Sequence, residues 1–290
     1  MVLTKKWVIE RLPVRPKDAN KGTFGKVLVF AGSENYPGAA YLACAAAYRV
    51  GAGLVTLATD PSVKTIVSRK LPEVTFSSKK EIYAKLSDYD VLLIGPGLGQ
   101  DEQTKSLVEK LIKEKLQHAL IDGDGLNILS EINNWWSDLK GQVVLTPHPG
   151  EMARLTGISI DDIQRERVNI TRNFAKKWNQ VVVLKGAHTV VAAPTAEVAI
   201  SPFANPLLAT AGTGDVLSGV IAGLIAQGLN LFKAACVGVY IHGQAGEILR
   251  EKIGNAGAFA SDLLPLLPII IKQLKLRGTV LVSISKHRVS

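Results

Sequence analysis

KVLVFAGSENYPGAAYLACAAAYRVGAGLVTLAT, residues 26–59, decides the fold class. Its first part, KVLVFAG (26–32), is a continuous apolar run ending in a glycine-containing turn, the pattern of a buried strand. The middle, YPGAAYLACAAAYRVGAG (36–53), is a run of small residues closed by glycine and predicts a tightly packed helix. LVTLAT (54–59) is a second apolar strand run. Strand, helix and strand in this order argue for parallel pairing, with the helix crossing one sheet face.

The same alternation extends along the chain. VLLIGPG (91–97), HALIDGDG (118–125), VVLTPH (143–148) and VVVLKG (181–186) read as strands, with helices over 101–116, 150–157 and 161–179. TVVAAP (189–194) and EVAISP (197–202) are separated by two residues and predict a hairpin that adds antiparallel strands to the sheet. The last third is expected to be helical, over 215–228, 232–253 and 261–275. No repeat or linker divides the chain. The expectation is one α/β domain over residues 1–278, a three-layer α/β/α sandwich with a mostly parallel sheet, and a tail at 279–290.

Composition limits the function classes. Of 290 residues, 47% are hydrophobic, 20% are charged and 26 are glycine, the profile of a packed globular protein. The formal charge of +9 suits anionic partners. The cations are scattered, however, and no aromatic ladder runs between them, so nucleic acid is not expected as a partner. The two cysteines, Cys44 and Cys236, sit in apolar helical contexts with no metal spacing, as buried thiols of a reducing compartment do. Lys5-Lys6 is followed by no apolar run, which argues against a signal peptide. The greasiest stretch, LLPLLPIII (263–271), is too short to span a bilayer. A cytoplasmic protein without a membrane partner is expected.

The chemistry gathers where strands end. Ser33, Gly95-Pro96-Gly97, Asp122-Gly123-Asp124, His148-Pro149-Gly150-Glu151 and Lys185-Gly186 all follow candidate strands. Ligands of open α/β sheets bind beyond those carboxyl ends. ATAGTGDVLSG (209–219) joins them. Gly212, Thr213 and Gly214 offer unobstructed backbone N–H groups at a helix start, an anion hole for a phosphate. Asp215 at its mouth repels an anion, which makes sense for a base taking a proton from an attacking hydroxyl. An ordinary helix N-cap gives the same local pattern.

In TPHPGE (146–151), the two prolines hold His148 extended, and Glu151 is placed to hold a magnesium-bound water. A favourable helix-starting glutamate explains that segment equally simply. IDGDGLN (121–127) fits either a site or an Asx turn. VLKGAHT (183–189) places Lys185 to neutralise phosphates, or leaves it a surface lysine in a tight turn. The chain has no Walker A sequence, and GPGLG (95–99) lacks dinucleotide-fingerprint spacing. Gly219 and Gly223 suit close packing of their helix on the sheet.

These motifs together resemble the ribokinase-like family, and within it the NAD(P)H-hydrate dehydratases that use ADP or ATP. The resemblance spans roughly residues 10–275 through KGTFGKVLVFAGS (21–33), PGAA (37–40), GPGLG, LTPHPGE, VLKGAHT and NPLLATAGTGDVLSG (205–219). Vitamin-precursor kinases of the superfamily read T-P-N-x-x-E where this chain has His148. The resemblance implies that Ala39, Gly97, His148 and Asp215 touch the hydrated dinucleotide, with Asp215 catalytic. It implies that Lys185, Gly186, Ala187, His188, Thr189 and Gly214 hold the adenine nucleotide. It also implies Mg2+, ADP or ATP as co-substrate, and a homo-oligomer, a tetramer in this family. ADP is favoured because the chain resembles the stand-alone bacterial type. Asn20, Gly123 and Gly125 depart from the family's usual residues and leave the role of the 122–127 turn open. The competing readings are a small-molecule kinase with the same base and anion hole, and a non-catalytic nucleotide or nucleic-acid binder.

Overall fold

The computed structural model describes residues 1–286, without the side chains of Lys21, Lys80, Lys85 and 277–286. Within them one sheet is built from β1 (Lys26–Phe30), β2 (Leu54–Thr59), β3 (Thr75–Ser78), β4 (Val91–Ile94), β5 (His118–Ile121), β6 (Gln142–Leu145), β7 (Val181–Leu184), β8 (Val190–Ala192) and β9 (Val198–Ile200). The strand order is β3-β2-β1-β4-β5-β6-β7-β8-β9. Pairing is parallel from β3 to β7, and the β8–β9 hairpin is antiparallel, as expected.

Alternation along each strand divides the apolar residues between two cores. Val27 and Val29 face one, while Leu28 and Phe30 face the other. Helices Pro37–Val50, Thr213–Ala226 and Leu231–Ile253 cover the first face. Helices Glu102–Leu111, Asp124–Ser130, Pro149–Thr156 and Arg167–Trp178 cover the second. The result is the expected three-layer α/β/α sandwich. With both faces covered, the central strands have no solvated side, which is why they read as unbroken apolar runs.

The differences from the expected elements have local causes. β3, TFSS, is a four-residue edge strand with only Ser77 buried, so it carries no apolar run to announce it. The helix Pro61–Lys70 buries only Val63 and Val67, a stripe too thin to stand out. Asp124–Ser130 starts inside what looked like a turn. The segment 161–179 is two helices, Ile160–Arg165 and Arg167–Trp178, broken at Glu166 with φ −117° and ψ 32°. The last helix runs Leu266–Lys286 and so passes through the boundary set for the tail. Residues 287–290 of that tail lie outside the described residues.

Gly219 and Gly223 do not face the sheet. A Cβ on Gly219 would lie 2.1 Å from the Ala43 carbonyl oxygen, and one on Gly223 would lie 2.8 Å from that of Ala47. The glycines therefore seat Thr213–Ala226 against the alanine-rich Pro37–Val50 helix, backbone to backbone. Cys44 and Cys236 are buried and free, and burial pushes both thiols up.

This packing positions the site. From β1 the chain goes to β2 on one side and later to β4 on the other. The loops after β1 and β4 therefore diverge and leave a crevice at the carboxyl edge. The long helix Thr213–Ala226, held by its glycines, points its N-terminus along that same edge.

Candidate active site

The anion loop is built by what its helix lacks. Gly212 is the N-cap of Thr213–Ala226, at φ 88°, and no side chain caps the helix. The Thr213 N–H is taken by the Thr210 carbonyl at 3.3 Å, contrary to its expected place in the anion hole, while no side chain takes the N–H of Gly214, which is left for a ligand. Thr213 holds the loop in shape by donating its hydroxyl to the carbonyls of Leu208 (2.7 Å) and Thr210 (2.9 Å). The buried His242 lies with Nε2 2.9 Å from the Thr213 carbonyl oxygen. Burial lowers its pKa to about 4, so the ring is neutral. A neutral ring facing a carbonyl oxygen must carry its proton on Nε2 and donate it there.

Asp215 is the third residue of this helix, and its carboxylate makes no capping bond. The N-cap reading of Asp215 therefore fails. Burial, and then the charge of Asp122, raises its pKa to about 7, while Lys185 pulls in the opposite direction. An acid with a pKa near neutrality is matched to taking up and releasing a proton.

Three strands bring the remaining charges to the same place. Lys185, after β7, bonds through Nζ to Asp122 Oδ1 at 2.5 Å and lies 3.6 Å from Glu151 Oε2. Asp122, after β5, is buried and also accepts from the Ser218 hydroxyl at 2.7 Å. Burial works against the Lys185 ammonium, but Asp122 and Glu151 outweigh it and hold its pKa above the ordinary lysine value. Arg167 clasps the end of β7, donating from Nη2 to the carbonyls of Leu184 (2.9 Å) and Lys185 (3.1 Å). Lys185 is thus a fixed, charged group and not a surface lysine.

TPHPGE folds as a capping box. His148 Nδ1 accepts from the N–H groups of Gly150 (2.9 Å) and Glu151 (3.2 Å), and Glu151 Oε2 accepts from the His148 N–H at 2.7 Å. Burial, then Lys185 and Arg154, lowers the His148 pKa. With Nδ1 accepting, the neutral ring carries its proton on Nε2, which lies 3.4 Å from Glu151 Oε1. Burial raises the pKa of Glu151.

The 122–127 turn divides its work. Asp122 faces Lys185. Asp124 accepts from the Gly99 N–H (2.9 Å) and the Gln100 amide (3.1 Å), fastening the loop after β4. Asn127 accepts from Arg154 at 3.1 Å. Gly97 in that loop has φ 59°, and a Cβ there would lie 2.8 Å from the Ala39 Cβ, so Ala39 and Gly97 are in contact across the crevice.

A cavity of about 700 Å3 opens beside the anion loop. His148, Lys185, Gly186, Ala187, Thr189 and Gly214 line it, together with Thr213. His188 does not; it sits exposed at φ 53° and donates its backbone N–H to the Phe203 carbonyl. Ala39, Gly97 and Asp215 lie outside the cavity's lining, with Asp215 Oδ2 3.9 Å from where a Gly212 Cβ would be. Phe203, Asn205 and His242 also line the cavity and were not singled out in the sequence. His242 lies within an apolar helix pattern that carries no polar signal. Among the described residues, no three His, Cys, Asp or Glu side chains form a metal cage.

The NAD(P)H-hydrate dehydratase family profile matches residues 27–268. The chain belongs to this family. It is 42% identical over 287 residues to the bifunctional NAD(P)H-hydrate repair enzyme Nnr of Moorella thermoacetica, covering 94% of this chain and 54% of that relative. It is 33% identical over 276 residues to the ADP-dependent (S)-NAD(P)H-hydrate dehydratase of Bacillus subtilis, covering 94% of this chain and 98% of that one. The solved structure of the Bacillus subtilis ADP/ATP-dependent NAD(P)H-hydrate dehydratase, co-crystallised with ATP and Mg2+, matches with a TM-score of 0.86 at 33% identity over 94% of this chain and 98% of that one. The chain spans about half the length of the bifunctional relatives, 53% to 55% of four of them. Among the described residues no helix is long and apolar enough to cross a membrane.

Proposed function

We propose that this protein dehydrates hydrated NADH and NADPH at the expense of ADP or ATP, with Asp215 as catalytic base. The observation that carries the reading is an uncapped helix N-terminus with a carboxylic acid, raised to about pKa 7, beside it. The dinucleotide's hydroxyl, on the carbon beside the ring nitrogen, gives its proton to Asp215 as the oxygen attacks the terminal phosphoryl group. The N–H groups of Gly212 and Gly214 face the charge that develops there, with Thr213 shaping the loop between them. The nucleotide leaves as AMP or ADP. Hydroxide is a poor leaving group and phosphate a good one, so the ring nitrogen's lone pair then expels phosphate. Loss of the neighbouring carbon's proton restores the dihydronicotinamide.

The adenine nucleotide occupies the cavity lined by Lys185, Gly186, Ala187, Thr189 and Gly214, with His188 holding its rim. Ala39, Gly97 and His148 receive the dinucleotide, and the His148 Nε2–H donates to it. Magnesium, when bound, would neutralise charge on the phosphates, and Glu151 would hold it through a water. The chain forms a single catalytic domain, the assembly is a homo-oligomer, and the location is cytoplasmic. A small-molecule kinase would share Asp215 and the anion loop but would leave a stable phosphorylated product.

The test is to mix hydrated NADH, magnesium and either ADP or ATP with the protein. Return of dihydronicotinamide absorbance with release of phosphate is expected, and dependence on one nucleotide names the donor. Nucleotide binding with no recovery from either ADP or ATP would sink the reading.

A further inference from the structure

A second cavity, of about 690 Å3, lies at the carboxyl ends of β2 and β3 and is lined by Asp60, Lys64, Phe76, Lys79, Asp101 and Thr104 among others. The dehydration chemistry above makes no use of it. It shares a wall with the crevice. The Thr59 hydroxyl donates to the Ala31 carbonyl at 2.8 Å, and a Cβ on Gly32 would lie 2.8 Å from the Ala40 Cβ and 3.0 Å from Val63 Cγ1. The turn after β1 thus has the Ala39–Ala40 helix on one side and the cavity wall on the other. On the β4 side, Asp101 lines the cavity four residues beyond Gly97.

The order β3-β2-β1-β4-β5-β6 is that of dinucleotide-binding sheets. In such sheets the pyrophosphate lies at the N-terminus of the helix after β1. The adenosine ribose reaches an acid near the end of β2, and a nearby base accommodates a 2′-phosphate. Each part has a counterpart here. The helix Pro37–Val50 has no side-chain cap from Tyr36, which leaves its first N–H groups, Ala39's included, for a ligand. The acid directly after β2 is Asp60. It is the N-cap of Pro61–Lys70, yet it makes no capping bond and pairs instead with Lys79 Nζ at 2.8 Å.

The other acids of the cavity are committed. Asp101 caps Glu102–Leu111 through the N–H groups of Gln103 and Thr104, and Glu81 accepts from Ser77 and Ser78. Asp60 and Lys79 are partly exposed, at 39% and 23%, so either can exchange its partner for a ligand group. Lys64, with its ammonium 5.6 Å from the Phe76 ring centroid, adds a second cation. From β4 to β3 is three strand spacings, about 14 Å, a span that an extended dinucleotide covers.

We propose that this cavity is the adenosine subsite for the hydrated dinucleotide. Asp60 accepts from the ribose hydroxyls of NADH hydrate, and Lys79 pairs with the 2′-phosphate of NADPH hydrate. This rests on the dehydratase reading and deepens it, since one ion pair then serves both substrates.

The experiment measures kcat and KM for both hydrates in the parent, Asp60→Ala, Lys79→Ala and Lys79→Gln. The Lys79 variants should shift the NADPH-to-NADH preference about tenfold toward NADH hydrate, through KM more than kcat. Asp60→Ala should shift it the other way. In parallel, calorimetry with NADP+ and NAD+ under saturating ADP should show the same opposed shifts in affinity. A preference that stays within about twofold of the parent in all variants, by both measurements, overturns the subsite. Absence of turnover in the parent counts against the dehydratase reading alone, and the calorimetric shifts then decide the subsite by themselves.

Discussion

Two helices start at the carboxyl edge of this sheet with an acid in the same third position, and they do opposite things with it. Pro149–Thr156 has His148 as its N-cap, and its acid, Glu151, bonds back to the His148 N–H. Thr213–Ala226 has Gly212 as its N-cap, and its acid, Asp215, caps nothing. Burial raises the pKa of both. The difference lies in the residue before the helix. A side chain that accepts hydrogen bonds satisfies the helix end and ties up its acid, whereas glycine leaves both open. A raised carboxylate pKa therefore does not by itself set Asp215 apart from Glu151; the absence of a side-chain partner for the helix end does.

The largest effect that can break this contrast is on turnover. Asp215→Asn should lower kcat by roughly 10²–10⁴-fold while nucleotide affinity, read by calorimetry, is kept. Near-parental turnover would remove Asp215 as the base. Glu151→Gln should keep the box geometry and reduce kcat far less, and equal losses in the two variants would erase the distinction between the helices.

Next is Lys185, whose removal leaves Asp122 and Glu151 buried without their cation. Lys185→Met should destabilise by about 3–5 kcal/mol, measured by urea unfolding. A cost below about 1 kcal/mol would make the pair no stronger than a surface ion pair.

The pH dependence sharpens the contrast further. Asp215 acts as a base only when ionised, so kcat/KM should rise as pH passes through about 7, and Asp215→Asn should lack that limb. Stability has the opposite sign. The folded state holds this proton more tightly than the unfolded chain, whose value is near 3.8, so the Asp215 contribution falls as pH rises from there to about 7. Asp215→Asn should therefore melt a few degrees higher than the parent at pH 8, on the order of 1 kcal/mol, with the gap closing toward pH 4. A lower melting point at pH 8 contradicts this.

The smallest effect concerns the cap. His148→Ala should cost about 1 kcal/mol through the lost N-cap, and His148→Asn should recover most of it. If His148→Asn also recovers turnover, the ring's Nε2–H has no part in binding the dinucleotide.

Much of this was legible in the sequence because backbone needs leave marks in it. The apolar runs gave β1, β2 and β4 to β7, since strands covered on both faces have no polar alternation. The glycines of 212–214 announced an open helix start, and the strand-end turns named Asp122, His148, Glu151 and Lys185 in advance. What stayed hidden were elements that bury little: β3, the Pro61–Lys70 helix, and the split at Glu166. His242 was hidden for the converse reason, because its partner is a backbone carbonyl twenty-nine residues away in sequence.

Local chemistry was thus determined by sequence: which segments are strands, where the N–H groups lie open, and which side chains stand at strand ends. The tertiary structure alone decided pairing. Asp122 and Lys185 are 63 residues apart in sequence and meet only because β5 and β7 end on the same edge. Asp215 was equally readable as a cap or a base until the helix start was placed one residue after Gly212. Burial and neighbouring charge act through space, so they set the pKa of Asp215 only after folding has brought those groups together.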